Sequence, residues 1–324
     1  MPRTLRWCYF RERVRSLIGD YAGLEPQVAF AHDGAMTRLA GIELGGTKVI
    51  AVLGQGTTIV ERVERPLETP NETLAEFRDL IARWHATAPI DALGIASFGP
   101  ISLDPARADY GRLLRTPKPG WSGVDIVGGV AFDGPTVLHT DVTAAALAEG
   151  RFGAAKACDD FAYMTVGTGI GVGIVANRAP LAGQLHPEAG HIRCARVAGD
   201  TFPGTCPFHH DCLEGLASGP AIAARAGRPG AELADDDPVW PFVIDPLAQG
   251  CATLLLTLSS QRIVLGGGVI NRRPWLVEAI ARRCAEQLGG YLPFVTDRAP
   301  LYPAALGDDA GPTGALILAE GALG

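Results

Sequence analysis

Three glycine clusters stand where strand-like runs end: Gly45 with Gly46, the segment 167–173, and Gly266-Gly267-Gly268. Backbone N–H groups exposed in such turns can cradle phosphate oxygens, and three of them in one chain point to a nucleotide. One alone would be an ordinary tight turn. Their spacing matches neither a Walker A loop, with Gly-Lys-Ser/Thr opening a helix, nor a Rossmann G-x-G-x-x-G. Phosphoryl transfer from a nucleotide needs a carboxylate to accept the proton of the attacking hydroxyl. Asp141 stands between a short strand pattern at 136–139 and the helix-favouring run 142–149. There it either caps the helix or presents its acid to a cleft.

A second set of residues could hold a metal. His186-Pro187-Glu188-Ala189-Gly190-His191 is followed by Cys206-Pro207-Phe208-His209-His210-Asp211-Cys212, a compact C-x₂-H-x₂-C group behind an upstream histidine. Four soft or borderline ligands make a closed tetrahedral zinc site, and in a reducing compartment such clustering favours metal over disulfide. Either His209 or His210 could serve. Glu188 and Glu214 lie near these ligands in sequence, where each carboxylate could accept hydrogen bonds from two neighbouring hydroxyls of a ligand.

The elements that must position these groups alternate α and β. Residues 39–43 and 49–53 flank Gly45-Gly46-Thr47 as a hairpin. Leu74, Phe77, Leu80, Ile81 and Trp84 recur at helical spacing within 73–85, and 92–96 reads as a buried strand ending at Ser97-Phe98-Gly99-Pro100. The segments 161–166 and 174–176 around the glycine-rich 167–173 repeat the theme of 39–53, which suggests an internal duplication. Residues 262–265 form a strand before the third glycine cluster, and 313–323 an apolar closing helix.

With 47% apolar and 19% charged residues in 324, the chain is expected to be a well-buried globular protein of two medium domains or one large one. A net charge of −7 gives no electrostatic basis for binding nucleic acid or an anionic membrane. The longest apolar stretch, at 251–258, is too short to cross a bilayer. An odd cysteine count, seven, without a secretory h-region implies reduced thiols and a cytoplasmic location. Residues 1–35 are Arg-rich and carry no chemistry. They are expected to be a disordered leader or a mis-assigned start upstream of Met36, so that a chain beginning at Met36 should be fully active.

Gly41-Ile42-Glu43-Leu44-Gly45-Gly46-Thr47-Lys48 and Val166-Gly167-Thr168-Gly169-Ile170-Gly171 resemble the two phosphate motifs of the ROK family of repressors and sugar kinases. Ser97-Phe98-Gly99-Pro100, Thr116-Pro117-Lys118-Pro119-Gly120-Trp121 and Cys212-Leu213-Glu214-Gly215-Leu216-Ala217-Ser218-Gly219-Pro220 resemble its zinc-containing bacterial fructokinase branch. The likeness runs from about Leu39 to the end. It implies the two-lobed actin-like, hexokinase-like (ribonuclease H-like) fold. The expected small lobe is 36–138 with the helix 306–324 returning to it, and the large lobe 139–305 carries a zinc loop at 186–212.

The resemblance further implies an ATP-dependent fructokinase (EC 2.7.1.4) with Asp141, in Thr140-Asp141-Val142-Thr143, as catalytic base. It places ATP and Mg²⁺ at Glu43, Gly45, Gly46, Thr47, Lys48, Gly167, Thr168, Gly169, Gly171, Gly219, Pro220 and Gly266, Gly267, Gly268. Glu43 stands where most relatives carry Asp and would be an outer partner of Mg²⁺. Gly307-Asp308-Asp309-Ala310-Gly311 resembles the closing nucleotide motif. The sugar would meet Gly99, Pro100, Thr140, Asp141, Glu188, His191 and Glu214, and structural zinc would sit on His191, Cys206, His209 and Cys212. Family likeness also implies a homodimer. The alternatives are a mannose or glucose kinase of the same family, a non-catalytic sugar sensor, and a sugar-responsive repressor, for which residues 1–38 are too short to hold a winged helix. Thr140 before the acid and the Thr116–Trp121 stretch favour fructose.

Overall fold

A computed structural model describes residues 37–324, so the expected leader lies outside the described residues. The first hairpin pairs β1 (Arg38–Leu44) with β2 (Lys48–Gln55), its turn closed by the Gly45 N–H donating to the Lys48 carbonyl at 3.0 Å. β3 (Thr58–Pro66) extends the meander. Helix α1 (Pro70–Thr87) then carries the chain back so that β4 (Ala92–Ser97) runs parallel to β1. The Thr69 hydroxyl accepts from the Glu72 N–H and Pro70 occupies the first turn of α1, a start signal written in the sequence. Leu74, Phe77, Leu80, Ile81 and Trp84 are buried as their spacing requires, and share one core with Ile42, Leu44, Leu93 and Ile95. A short helix α2 (Ile126–Val130) precedes β5 (Thr136–Thr140), which lies parallel to β4. Helix α3 (Asp141–Phe152) follows without a linker.

The second half repeats the plan. β6 (Phe161–Val166), β7 (Ile170–Ala176) and β8 (Ala179–Pro180) form an antiparallel meander. Helices α4 (Leu213–Ala217), α5 (Gly219–Ala226) and α6 (Trp240–Leu258) lead to β9 (Arg262–Gly266). Helices α7 (Gly268–Arg272) and α8 (Trp275–Leu288) lead to β10 (Leu301–Pro303). The sheets are ordered β3-β2-β1-β4-β5 and β10-β9-β6-β7-β8. With β6 in the place of β1 the two orders and strand directions coincide, which supports the duplication inferred from the glycine turns.

One boundary differs from expectation. β7 begins at Ile170, so Gly171 and Gly173 lie inside a strand and not in a loop. The strand must pass under α3: a Cβ at position 173 would come within 2.1 Å of the Val142 carbonyl oxygen. Glycine here serves close helix-on-strand packing.

Helix α9 (Ala310–Gly321) returns to pack on β1, β4 and α3, while α3 also covers β6 and β7. Small side chains, Ala96, Ala144 and Ala315, let these layers approach closely. Helix α6 exceeds the apolar run seen at 251–258. Among the described residues it is the one helix long and apolar enough by composition to cross a membrane. Its Val243, Leu247, Cys251 and Leu255 instead fill the second core with Ile280 and Cys284 of α8. Its Asp245 accepts hydrogen bonds from Arg283 and Gln287.

Candidate active site

The ends of the two sheets, the start of α3 and the start of α9 converge on a cleft of ≈ 140 Å³ lined by Glu43, Lys48, Asp141, Tyr163, Thr165, Gly267, Asn271, Asp308 and Gly311, among others. A larger hollow of ≈ 390 Å³ between α1 and β3, walled by Arg38, Arg65 and Arg83, holds none of the expected residues.

Asp141 is the first residue of α3, and the capping role belongs to its neighbour. The Thr140 hydroxyl accepts from the Thr143 N–H at 3.2 Å and bonds the Thr143 hydroxyl at 2.7 Å. Thr140, expected to contact the sugar, is 3% exposed and its hydroxyl is engaged in this cap. Freed from capping, the Asp141 carboxylate faces the cleft with Oδ1 accepting from the Val142 N–H at 2.8 Å. Burial raises its pKa to about 6, against the lowering effect of that hydrogen bond. An acid poised near neutrality can take a hydroxyl proton and return it.

Glu43, at the end of β1, lies under the first turn of α9 at Gly311. Burial first, then Asp141, with a smaller push from Asp308, raises its pKa to about 7, although Lys48 and Arg62 pull the other way. A group of hard oxygen donors with crowded negative charge suits Mg²⁺, which would relieve that repulsion. Lys48 pairs with Glu64 across the hairpin at 3.4 Å.

The second and third glycine turns come together. Gly167 N–H donates to the Gly169 carbonyl at 2.9 Å, and the Gly219 N–H at the start of α5 donates to the Gly167 carbonyl at 2.7 Å. Gly267, at φ +88°, begins α7 against Thr165 and Val166, with Gly268 beside Gly167. Pro220 sits in the first turn of α5, and Thr168 is exposed at the turn. Gly46 and Thr47 are exposed on the first hairpin, where the Lys118 ammonium donates to the Gly46 carbonyl. Gly171 is the second residue of β7, packed against Val142, and lies outside the turn itself.

On the opposite side, the cis Gly99-Pro100 peptide after β4 faces His186 and Glu188. Glu188 is pushed up to about 7 by burial, then by Asp141 and Glu214. It still shows 37% of its side chain to solvent, so that charge repulsion is partly screened. Glu214, in the first turn of α4, accepts from the Ile170 N–H at 3.0 Å, tying α4 to the phosphate turn.

His191, Cys206, His209 and Cys212 present four donor atoms all within 4.8 Å of one another. Cys206 Sγ lies 3.7 Å from both His191 Nδ1 and His209 Nδ1, and Cys212 Sγ lies 3.6 Å from His191 Nδ1. Tetrahedral zinc bonds of about 2.3 Å to sulfur and 2.05 Å to nitrogen require S···N edges of roughly 3.6 Å. The cage therefore fits zinc with no position left for water. His209 is the histidine that joins it; His210 turns the chain at φ +56°, exchanging backbone hydrogen bonds with Cys206. Gly190 lets this strap lie on β7, since a Cβ there would meet the Ile170 carbonyl oxygen at 1.8 Å.

Sequence reasoning missed Tyr163, Thr165, Asn271 and Asp308 as cleft residues. Tyr163 and Thr165 read as ordinary strand positions, and Asn271 carried no signal. Asp308 stood inside a quoted motif without a role.

Residues 39–322 match the family model of the ROK family. A fructokinase of Pediococcus pentosaceus is 41% identical over 290 residues, covering 88% of this chain and 98% of that protein. A fructokinase of Zymomonas mobilis subsp. mobilis is 38% identical over 288 residues, covering 86% and 95%. A solved ROK family glucokinase from Streptomyces griseus, in complex with glucose and AMPPNP, superposes with a TM-score of 0.70 at 25% identity, covering 87% of this chain and 99% of that one.

Proposed function

The chain belongs to the ROK family, and from that premise we propose that it is an ATP-dependent fructokinase that moves the γ-phosphoryl group of ATP to the 6-hydroxyl of D-fructose. The observation that carries the mechanism is the Asp141 carboxylate at the start of α3, free of the capping role and in one cleft with Glu43, Lys48 and Gly267. As O6 attacks the γ-phosphorus, its proton passes to Asp141, the bond from that phosphorus to the β,γ-bridging oxygen breaks, and ADP leaves. Mg²⁺, held near Glu43, would neutralise the phosphate charge. Gly45, Gly46, Gly167, Gly169 and Gly267 offer backbone around the phosphates and nucleoside. Glu188, Glu214 and the Gly99-Pro100 loop orient the sugar, and closure of the cleft excludes water as a competing acceptor.

Zinc in the His191, Cys206, His209, Cys212 cage would hold the strap that carries Glu188. The lobes divide in this reading as 36–138 with 306–324, and 139–305, supported by the packing of α9 on β1 and β4. Family membership also supports a homodimer and a cytoplasmic location.

A coupled ADP-release assay with Mg²⁺ over fructose, mannose and glucose tests the activity. Fructose is expected to give the highest kcat/KM. A higher value with mannose or glucose would reassign the substrate, and release unstimulated by any hexose would make the protein a sensor.

A further inference from the structure

His186 takes no part in the metal cage or the phosphate turns, yet its ring is almost wholly buried, with 3% of the side chain exposed. It bridges two elements that come from different sheets. Nε2 accepts from the Ile101 N–H at 3.1 Å, on the loop that leaves β4 after Gly99-Pro100. A neutral imidazole whose Nε2 accepts must carry its hydrogen on Nδ1. Burial does hold the ring neutral, by lowering its pKa. Nδ1 then lies 3.5 Å from Glu188 Oε1 and 3.5 Å from the Pro187 carbonyl oxygen. The hydrogen bond at Nδ1 goes to the Pro187 carbonyl, and Glu188 Oε1 lies at the same distance without one, as active-site contacts often do before substrate binds.

Position 99 has no room to give: a Cβ there would stand 2.9 Å from His186 Cε1 and 3.2 Å from Glu188 Oε1. The Gly99 backbone, the imidazole and the glutamate thus form one packed stack at the sugar side of the cleft.

We infer that His186 is a positioning residue for the sugar, which anchors its ring on the Ile101 N–H and uses Nδ1–H to fix the Glu188 carboxylate. This rests on the reading of Glu188 as a sugar ligand. A ring with that task sets the distance between the Gly99-Pro100 loop and Glu188, the two walls between which fructose hydroxyls are held. Filling the same space with an apolar ring would leave the fold and the nucleotide side intact and let Glu188 swing to solvent.

The test compares His186→Phe, His186→Asn, His186→Gln, Glu188→Gln and the double variant His186→Phe/Glu188→Gln in the full chain. KM for fructose, KM for ATP, kcat, zinc content and melting temperature are the readouts. His186→Phe is expected to raise the fructose KM by about 10- to 100-fold, with the KM for ATP and the zinc content unchanged and kcat altered far less. His186→Asn, whose amide nitrogen takes the place of Nδ1, should retain more fructose affinity than His186→Gln, which keeps only an acceptor for Ile101. The double variant should bind fructose about as poorly as Glu188→Gln alone.

An unchanged fructose KM in His186→Phe, while Glu188→Gln raises it, overturns the inference and leaves the sugar site standing. An unchanged KM in Glu188→Gln overturns both. Should the Phe variant fail to fold, the order of Asn and Gln decides: Gln equal to or better than Asn makes His186 a loop anchor and refutes the role proposed.

Discussion

Asp141→Asn is expected to lower the turnover number with fructose by about 10²- to 10⁴-fold while leaving ATP affinity nearly unchanged. Asparagine is isosteric, keeps an oxygen to accept from the Val142 N–H, and stands outside the Thr140 cap, so the start of α3 survives the change. What disappears is a base. Because Asp141 is raised to about 6, and Glu43 and Glu188 to about 7, wild-type kcat/KM should climb with pH through roughly 6 to 7. The apparent values belong to the coupled carboxylates and not to one of them. The variant should lose the steep part of this acid limb.

Stability moves the opposite way. These three acids bind protons more tightly folded than unfolded, so their contribution is fully present below the ordinary carboxylate range and is lost as pH rises through about 6 to 7. Replacing one of them by a neutral amide should therefore keep or raise the melting temperature at pH 8. Near-normal turnover in Asp141→Asn would remove it from the role of base.

The second large effect concerns the cage. Cys212→Ser is expected to reduce bound zinc from about one per chain to near zero and to raise the fructose KM by at least about 10-fold. The KM for ATP should change little. Cys212 is fully buried at the threshold of α4, one residue before Leu213 and two before Glu214, and its Sγ lies 3.6 Å from His191 Nδ1. Without metal, the turn 206–212 is tied to the strap bearing Glu188 and His191 by peripheral contacts: the Leu213 N–H to the Ile192 carbonyl, Arg193 to the His209 carbonyl and to Asp211, and Arg196 to Asp211. The nucleotide turns keep their own ties, the Gly219 N–H to the Gly167 carbonyl and the Gly167 N–H to the Gly169 carbonyl, besides the Glu214 contact to the Ile170 N–H, so they should feel the loss less than the sugar side. Chelation of the wild-type protein should reproduce the split. An unchanged fructose KM in metal-free protein would refute this role for the cage.

Much of this arrangement was legible from local rules. Gly45-Gly46-Thr47 between alternating runs specifies a hairpin whatever surrounds it, and the helical spacing of Leu74 to Trp84 predicts both α1 and its buried face. The C-x₂-H-x₂-C spacing marks a cage by donor chemistry alone. What local rules could not show is decided by contacts from elsewhere in the chain. Gly171 and Gly173 read as part of a glycine-rich turn until α3 is laid across β7 and places them inside a strand. The Thr140 hydroxyl is committed to capping the helix that Asp141 opens, which leaves the acid free of that task. Tyr163 and Asn271 enter the cleft only because α7 packs on β6, and His186 acquires a role only where the loop after β4 meets it.

The most direct test is the structure of Asp141→Asn with fructose and a non-hydrolysable ATP analogue bound with Mg²⁺. The residue 141 side chain should lie within about 2.6–3.2 Å of the fructose 6-hydroxyl, with that oxygen in line with the γ-phosphorus. A 6-hydroxyl beyond reach of position 141, or a nucleotide seated away from the turns at Gly45 and Gly167, would contradict the assignment.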